Sequence, residues 1–277
     1  MNRILLIPSL SFRTLMAACA LALGLAAAPS AQADTLTVAA AADLKFALDE
    51  IVTGFEKAHP GDTVNVVYGS SGQFQAQIQQ GAPYDLFFSA DIAFPRALAK
   101  AGFAASKVVP YALGRIVLWS PTLDARSMTL QSLTDPRIKH IAIANPRHAP
   151  YGQRAEEALR AAGLWDALQP RLVFGENIAQ TAQFVQTGNA QIGVIALSLA
   201  KSPQLARLGG YALIPESMHQ PLEQGYIITR RAADSALARR FVQTVDSPAA
   251  RQVLARYGFE PPKSPDVAKA AQDALAR

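Results

Sequence analysis

The sequence predicts an α/β protein of two domains, and three observations carry this prediction. Short runs of apolar, largely β-branched residues alternate with stretches in which apolar residues recur every three to four positions. This alternation occurs in the first half of the chain and again in the second half, without obvious sequence repetition. No long linker separates the halves, so we expect strands that cross between the domains and make one domain discontinuous.

The first series has the order strand, helix, strand, helix, strand, helix. Its strands are expected at residues 35–40, 63–67 and 85–89. Asp43 follows the first of them and is placed to cap the next helix. This order indicates a mainly parallel sheet with helices on its faces, and ligands of such sheets lie beyond the carboxyl ends of the strands.

The second series repeats this order. Its strands are expected at residues 115–119, 140–144, 171–174 and 192–195. Helices between them stop at Gly163 and near Gly188. A further strand at residues 225–229 and helices at residues 237–245 and 248–257 complete the chain before a polar, alanine-rich tail.

The turn at residues 68–72 (YGSSG) joins the second predicted strand to its helix. Its two glycines allow the backbone to approach a ligand closely, and the first N–H groups of a helix have no partner within that helix. Such a turn is suited to an anion. The turn alone is more typical of an ordinary turn in which a serine caps the helix, and it leaves both interpretations open.

Four predicted helix starts follow strands, and all four are poor in basic residues. They lie at Asp43, Gly72, Tyr151 and Ile178, two in each series. Because a helix start carries roughly half a positive charge, four converging starts would bind a dianion without lysine or arginine. The alternative is that they are four capped helices of an ordinary α/β protein.

The start of the chain is typical of a secretory signal. Arg3 and Arg13 precede an apolar run over residues 15–28, and residues 31–33 (AQA) form a small-x-small cleavage site. A membrane anchor is an alternative, but the run is short for a span of about 20 residues. A lipoprotein site at Cys19 is another, but the apolar run continues past it. We expect soluble export.

Charge and cysteine content exclude several classes of function. Removing the signal lowers the formal net charge from +5 to +3 and removes the only cysteine. The remaining positive charge is spread along the chain and forms no basic tract for nucleic acid. We therefore expect a chain without disulfides that does not bind nucleic acid.

A secreted serine hydrolase is an alternative from another class. The serine turn lacks the G-x-S-x-G spacing of a nucleophile elbow. His148 is the only histidine near a predicted ligand turn, and no acid stands beside it in the sequence to orient it. The sequence also shows no HExxH, Walker or EF-hand pattern.

Several motifs together resemble the periplasmic molybdate-binding proteins of molybdate ABC transporters, which are type II solute-binding proteins. They are residues 38–44 (VAAAADL), 69–72 (GSSG), 80–91 (QGAPYDLFFSAD), 145–152 (NPRHAPYG), 162–165 (AGLW), 176–178 (ENI) and 256–259 (RYGF). The resemblance implies two doubly wound α/β domains joined by a hinge of two crossing strands. We accordingly predict a signal peptide over residues 1–33, a discontinuous first domain from 34–113 and 224–277, and a second domain from 114–223.

The resemblance also implies a ligand set. The family holds molybdate or tungstate through its oxygens with uncharged donors from both domains. The matching positions here are Ala42, Asp43, Ser71, Tyr151 and Ile178. Some members add a tyrosine hydroxyl where this chain has Ala196, so that contact is missing here. The hydroxyl of Tyr151 is a candidate to replace it.

Asp43 departs from the family pattern, in which serine or asparagine often stands at this position. An ionised carboxylate about 3–4 Å from a dianion in a dry site costs several kcal/mol. Either the side chain caps its own helix and leaves the backbone N–H to the oxyanion, or the carboxyl is protonated and donates. Capping is our working hypothesis, because it also satisfies helix N–H groups.

The resemblance thus implies a monomeric periplasmic protein that captures molybdate, and also tungstate, and delivers it to an ABC permease in the inner membrane. It implies no catalysis and no cofactor. Sulfate and phosphate remain alternative ligands. Phosphate carries protons at neutral pH and needs an acceptor, which Asp43 would supply.

Overall fold

The computed structural model describes residues 34–262, which form two five-stranded β-sheets with helices on their faces. The predicted signal peptide and residues 263–277 lie outside this range. The strands are β1 (Asp34–Ala41), β2 (Asp62–Gly69), β3 (Leu86–Ser89), β4 (Val109–Gly114), β5 (Ile116–Ser120), β6 (Ile141–Ala144), β7 (Leu172–Gly175), β8 (Ile192–Ala196), β9 (Gly210–Leu213) and β10 (Leu222–Ile228).

The α-helices show why apolar residues recur at helical spacing. They are α1 (Lys45–Ala58), α2 (Ser71–Gln79), α3 (Ala93–Lys100), α4 (Pro150–Ala161), α5 (Trp165–Leu168), α6 (Ile178–Gln186), α7 (Leu197–Ala200), α8 (Leu205–Leu208), α9 (Ala236–Val245) and α10 (Pro248–Arg256). In α1, for example, Leu48, Ile51 and Phe55 lie on one buried face. None of the helices within residues 34–262 is long and apolar enough to cross a membrane.

The first sheet has the strand order β2-β1-β3-β10-β4 and is covered on both faces. Alternate residues of its central strands point to opposite faces, as the strand repeat requires. In β3, Phe88 packs with α1, α9 and α10, whereas Phe87 packs with α2 and α3. This sheet with its five helices is called the first lobe below.

The second sheet has the order β7-β6-β8-β5-β9, which repeats the topology of the first. Its strands β5, β6 and β8 are buried along their whole length, which agrees with their continuous apolar sequences. Helices α4 to α8 contribute to the same apolar core. This sheet and these helices are called the second lobe.

The expectation of a mainly parallel sheet is confirmed, since four strands of each sheet run in one direction and only the fifth is reversed. β10 runs antiparallel to both β3 and β4, and β5 runs antiparallel to both β8 and β9. The reversed strands are those that enter each sheet directly from the other lobe. Each of them runs in the opposite direction to the other four strands of its sheet.

Two segments join the lobes. The first is the direct passage from β4 through Arg115 to β5, and the second runs from β9 to β10. Nη1 of Arg115 lies 2.8 Å from carboxylate oxygens of both Glu216 and Glu260, so one guanidinium ties both segments to the C-terminal part of the described chain.

Strands β4 and β9 were not identified from the sequence. Each is an edge strand of its sheet. β4 contains Pro110, which pairs with Gly225 of β10. The register of the two strands shifts between Gln224 and Gly225. β9 is only four residues long, and its Tyr211 and Leu213 side chains are exposed.

Candidate functional site

A small cavity lies between the lobes, at the point where the four helix starts meet. It is lined by Ala41, Ala42, Asp43, Gly69, Ser70, Ser71, Ala90, Ala149, Pro150, Tyr151 and Ile178. The structure thus brings together all five residues predicted to bind a ligand, and no lysine or arginine is among the lining residues. A larger groove of about 490 Å³ under α9 and α10 is lined mainly by apolar groups and has no converging helix starts.

The second lobe presents two unpaired backbone N–H groups at this cavity. Ile178 is the first residue of α6, and the next two N–H groups donate to Asn177 Oδ1, both at 3.0 Å. Tyr151 is the second residue of α4, and the next two N–H groups donate to the carbonyl of Ala149 at 2.9 and 3.1 Å. The N–H groups of Ile178 and Tyr151 therefore have no acceptor within their helices.

Ser71 is the first residue of α2 and is fully buried. Its Oγ accepts a hydrogen bond from the N–H of Ala90 at 3.0 Å. Because this contact uses the oxygen as an acceptor, the hydroxyl proton of Ser71 is left to donate. Together with its backbone N–H at the helix start, Ser71 offers two donors from the first lobe.

Asp43 lies in a 3₁₀ turn, Ala42–Leu44, that leads into α1, and no capping bond of regular geometry joins its carboxyl group to a helix N–H among the described residues. This geometry does not favour the capping hypothesis. Instead, Asp43 Oδ2 accepts from Tyr151 Oη at 2.9 Å and from Gln224 Nε2 at 2.7 Å. Both partners are distant from Asp43 in the sequence. Asp43 Oδ1 is buried and has no hydrogen-bond partner of regular geometry among the described residues.

Burial raises the pKa of Asp43 to about 6. The hydrogen bonds from Gln224 and Tyr151, and the nearby N–H groups of Asp43 and Leu44, oppose this shift but do not cancel it. The same burial, together with the Asp43 charge, raises the pKa of Tyr151, so its phenol remains a donor at neutral pH. A carboxyl group with a pKa of about 6 changes between its neutral and its ionised form within the ordinary pH range.

Gln224 is a site residue that the sequence analysis missed. It is fully buried at the register shift of β10. Its Oε1 accepts from Tyr111 Oη at 2.5 Å, and its Nε2 donates to Tyr151 Oη at 3.1 Å as well as to Asp43. The signal in the sequence is a glutamine followed by glycine, directly before the apolar residues 226–228.

The absence of a side chain at Gly114 makes room for this network. A Cβ at Gly114 would lie 2.3 Å from Tyr151 Oη and 2.7 Å from Gln224 Nε2. Gly114 ends β4 immediately before the chain crosses to the second lobe. The crossing point and the buried polar network therefore depend on the same glycine.

The hydroxyl of Tyr151 is already engaged. It donates its single proton to Asp43, so the backbone N–H of Tyr151 is the group left for a ligand. Ala196 ends β8 and is buried. This geometry therefore does not favour the Tyr151 hydroxyl as a replacement for the tyrosine hydroxyl contact that is missing at Ala196.

The rim of the cavity is closed by contacts between the lobes. The N–H of Gly72 donates to the carbonyl of His148 at 2.9 Å, and Ser70 Oγ lies 2.9 Å from His148 Nδ1. Gln73 Nε2 donates to Glu176 Oε2 at 2.9 Å, and this carboxylate also lies 3.5 Å from His148 Nε2. An acid therefore does stand beside His148, which the sequence analysis did not anticipate.

An ion pair joins the lobes further along the rim. Arg154 Nη2 of α4 lies 2.9 Å from Asp91 Oδ2, which follows β3. Arg154 is buried and also contacts Glu157 at 2.6 Å. Removing one partner of a buried ion pair strongly lowers stability, because the remaining charge stays desolvated. It therefore favours the closed arrangement of the lobes.

The cavity is suited to hydrogen bonding rather than to metal coordination. Residues 34–262 contain no group of three or more His, Cys, Asp or Glu side chains placed to hold a metal ion. The available groups are the helix-start N–H groups and the Ser71 hydroxyl. Such groups bind the oxygen atoms of an anion.

Comparison with known proteins identifies similar chains. The family model of bacterial extracellular solute-binding proteins matches residues 36–260. A molybdate-binding protein of Azotobacter vinelandii is 37% identical over 83% of this chain and 91% of its own. A molybdate-binding protein of Rhodobacter capsulatus is 34% identical over 87% of this chain and 94% of its own.

Solved structures extend the comparison to the fold. The periplasmic molybdate-binding protein of Azotobacter vinelandii superposes with a TM-score of 0.77 at 32% identity, covering 82% of this chain and all of that one. A sulfate-binding protein of Mycobacterium tuberculosis has a TM-score of 0.69 at 15% identity, covering 87% of this chain and 91% of that one. The second likeness shows the fold alone.

The substitution Gly114→Ala tests the role of the crossing-point glycine. We expect it to lower the free energy of unfolding by about 1–3 kcal/mol, because the added methyl displaces buried polar groups. Urea denaturation followed by circular dichroism measures the change. Gly54→Ala is the control, since no atom lies within 4 Å of its added Cβ and alanine is favoured in a helix. Equal stability of the Gly114→Ala variant and the native protein would contradict the packing described.

Proposed function

The chain belongs to the bacterial extracellular solute-binding proteins, and from this premise we propose that it captures molybdate in the cleft between its lobes. Tungstate, which has the same charge and shape, is proposed as a second ligand. The relatives named as molybdate-binding proteins, which match over most of their length, support this ligand. We further propose that the protein is exported to the periplasm by residues 1–33 and passes its ligand to an ABC permease as a monomer.

One observation carries the proposal. Uncharged donors from both lobes converge on a single buried cavity: the hydroxyl and N–H of Ser71 from one side, and the N–H groups of Tyr151 and Ile178 from the other. A tetrahedral oxyanion has four oxygens pointing in different directions, so donors on opposite walls match its shape. Each hydrogen bond to a charged group contributes about 1.5–3 kcal/mol.

The proposed ligand set is Ala42, Asp43, Ser71, Tyr151 and Ile178, with every contact made to an oxygen of molybdate. In this proposal, no protein atom coordinates molybdenum. The anion binds one lobe of an open protein first and then favours closure, because only the closed form presents both donor sets. The permease would recognise that closed form.

A secreted serine hydrolase is the alternative to exclude. Ser70, His148 and Glu176 do form a chain of contacts. However, the Glu176 side chain is 60% exposed and lies 3.5 Å from the imidazole, so it holds the ring weakly. The three groups meet across the closed rim, so they separate when the cleft admits a substrate. Hydrolysis of nitrophenyl esters at a rate that falls in a Ser70→Ala variant would favour this alternative.

A thermal-shift panel tests the ligand. We expect micromolar molybdate and tungstate to raise the melting temperature of the mature protein, because a ligand that binds only the folded state stabilises it as its concentration exceeds Kd. Sulfate and phosphate at the same concentrations should give little or no shift. A rise in melting temperature with sulfate or phosphate, but not with molybdate, would contradict molybdate as the ligand.

The substitution Ser71→Ala removes one hydroxyl donor. We expect molybdate affinity to fall about tenfold to 150-fold, which corresponds to about 1.5–3 kcal/mol for a hydrogen bond to a charged group. Isothermal titration calorimetry measures the change. Ser127→Ala, an exposed serine outside the cavity, is the control and should bind as the native protein does. Native affinity in Ser71→Ala would contradict the site assignment.

The substitution Gly72→Ala tests whether closure is needed for tight binding. A Cβ at Gly72 would lie 2.7 Å from the carbonyl oxygen of His148 in the opposite lobe, whereas alanine suits the helix itself. We expect at least tenfold weaker molybdate binding, because one lobe's donors no longer reach the anion.

Small-angle X-ray scattering should show a larger radius of gyration for the molybdate-loaded Gly72→Ala variant than for the loaded native protein. Gly54→Ala again serves as the control, because it adds the same methyl group to a helix without a neighbour. Tight binding and full closure in Gly72→Ala would show that the rim contact is not required.

A further inference from the structure

The two carboxyl oxygens of Asp43 have different surroundings. Oδ2 accepts two hydrogen bonds, one from Tyr151 Oη at 2.9 Å and one from Gln224 Nε2 at 2.7 Å. A carboxylate oxygen offers two lone pairs in the plane of the group, so these donors occupy both. A proton placed on Oδ2 would displace one of them.

The donors that occupy Oδ2 are themselves fixed. Gln224 is oriented because its Oε1 accepts from Tyr111, which leaves both Nε2 protons for Tyr151 and Asp43. Ser198 Oγ, which donates to the backbone carbonyl of Asp43 at 2.8 Å, holds the turn from the other side. The orientation of the carboxyl group is therefore set by the protein and not by the ligand.

Oδ1 has the opposite character. It is buried, and the described residues give it no hydrogen-bond partner of regular geometry, although the N–H groups of Asp43 and Leu44 lie near the carboxyl group. It also belongs to a residue that lines the cavity. Leaving a buried polar atom without a partner is unfavourable, so such an atom on a residue that lines a cavity points to an interaction with a ligand. For an oxyanion, whose oxygens only accept, that atom must carry a proton.

We propose that this site binds its tetrahedral oxyanion together with one proton, which Asp43 Oδ1 shares with an oxygen of the anion. Asp43 thereby acts as a hydrogen-bond donor to the ligand, and Gln224 and Tyr151 act as positioning residues that keep the proton on Oδ1. This inference rests on the proposed function and deepens it, because it makes the proton a co-ligand.

The proton balance is simple. At pH 8, free Asp43 is ionised and free molybdate is a dianion, so the complex takes one proton from solvent. At pH values well below the pKa of Asp43 in the free protein, that proton is already bound, and binding takes up little more. In the closed arrangement, burial raises the pKa of Asp43 to about 6. No bond to molybdenum forms or breaks.

The groups around Asp43 do not offer another source of this pH dependence. Its carboxyl faces Tyr111 of β4, Tyr151 of α4 and Gln224 of β10, and its carbonyl faces Ser198 of α7. All of these side chains are neutral, and the pKa values of both tyrosines are raised by burial. The other ionisable groups of the closed cleft, His148, Glu176, Asp91 and Arg154, lie at its rim.

Isothermal titration calorimetry with molybdate tests the inference directly. Titrations at pH 5, 6, 7 and 8, each in buffers of different ionisation enthalpy, give the number of protons taken up. We expect uptake of nearly one proton at pH 8 and of less as the pH falls. The dissociation constant should rise about tenfold per pH unit where Asp43 of the free protein is ionised, and level off at pH values below its pKa.

Asp43→Asn is the matched variant, because an amide imitates the neutral carboxyl and cannot ionise. Its dissociation constant for molybdate should change less than about twofold between pH 5 and 8, without proton uptake. Asp246→Asn is the control: Asp246 is also a partly buried carboxyl with a raised pKa and a tyrosine partner, Tyr226, but it lies outside the cavity. It should retain the native pH profile.

Three outcomes would overturn the inference. Tight molybdate binding at pH 8 without proton uptake would show that Asp43 and the anion share no proton, but it would leave the proposed function intact. A native pH profile in Asp43→Asn that disappears in His148→Asn would assign the proton to the rim. Absence of molybdate binding at every pH would overturn the proposed function and this inference with it. Should Asp43→Asn fail to fold, proton uptake by the native protein still decides.

Discussion

A dianion enters a dry cavity only if the cavity supplies positive potential, and in this protein no lysine or arginine lines the cavity to supply it. The compensating groups are helix starts, each of which carries roughly half a positive charge, and a serine hydroxyl whose oxygen is already occupied by a backbone N–H. Because helix dipoles act over short distances, these starts must lie close together. The strand order, the crossing strands and the close backbone contact at Gly72 all serve this convergence.

Asp43 is the exception among these donors, and the structure explains why it can be present. An acid in this position would repel a dianion if it were ionised, yet burial favours its neutral form. Tyr151 from one lobe and Gln224 from the crossing strand both donate to a single oxygen of the carboxyl group. The network thus links the ligand site to the hinge and to both lobes, so closure and the state of Asp43 depend on the same contacts.

Much of the fold was predictable because its signals are local. Strand, turn and helix patterns placed the residues that line the cavity, and the rule that ligands lie at the carboxyl ends of parallel strands brought them together. The reversed direction of β10 and β5 was not predictable from local patterns, since it follows from the two passages between the lobes. Edge strand β4 contains a proline, which argues against a strand, and edge strand β9 is short and partly exposed.

The sequence predicted the backbone donors of the site, but it did not predict the buried hydrogen-bond network of Asp43, Tyr151 and Gln224. Asp43 has the local sequence of a helix cap, but partners 108 and 181 residues away determine its orientation. Gln224 lies in a strand that looks purely structural until its neighbours are known. Contacts at such separations arise from tertiary packing, and a single sequence contains no local trace of them.

The central claim is that an oxyanion is held by uncharged donors from both lobes. A crystal structure of the molybdate complex, with the metal located by its anomalous scattering, tests this claim most directly. The account predicts one molybdenum peak in the cavity, with its oxygens within about 3.2 Å of Ser71 Oγ and of the backbone nitrogens of Tyr151 and Ile178. A peak elsewhere, or an anion held by lysine or arginine side chains, would contradict it.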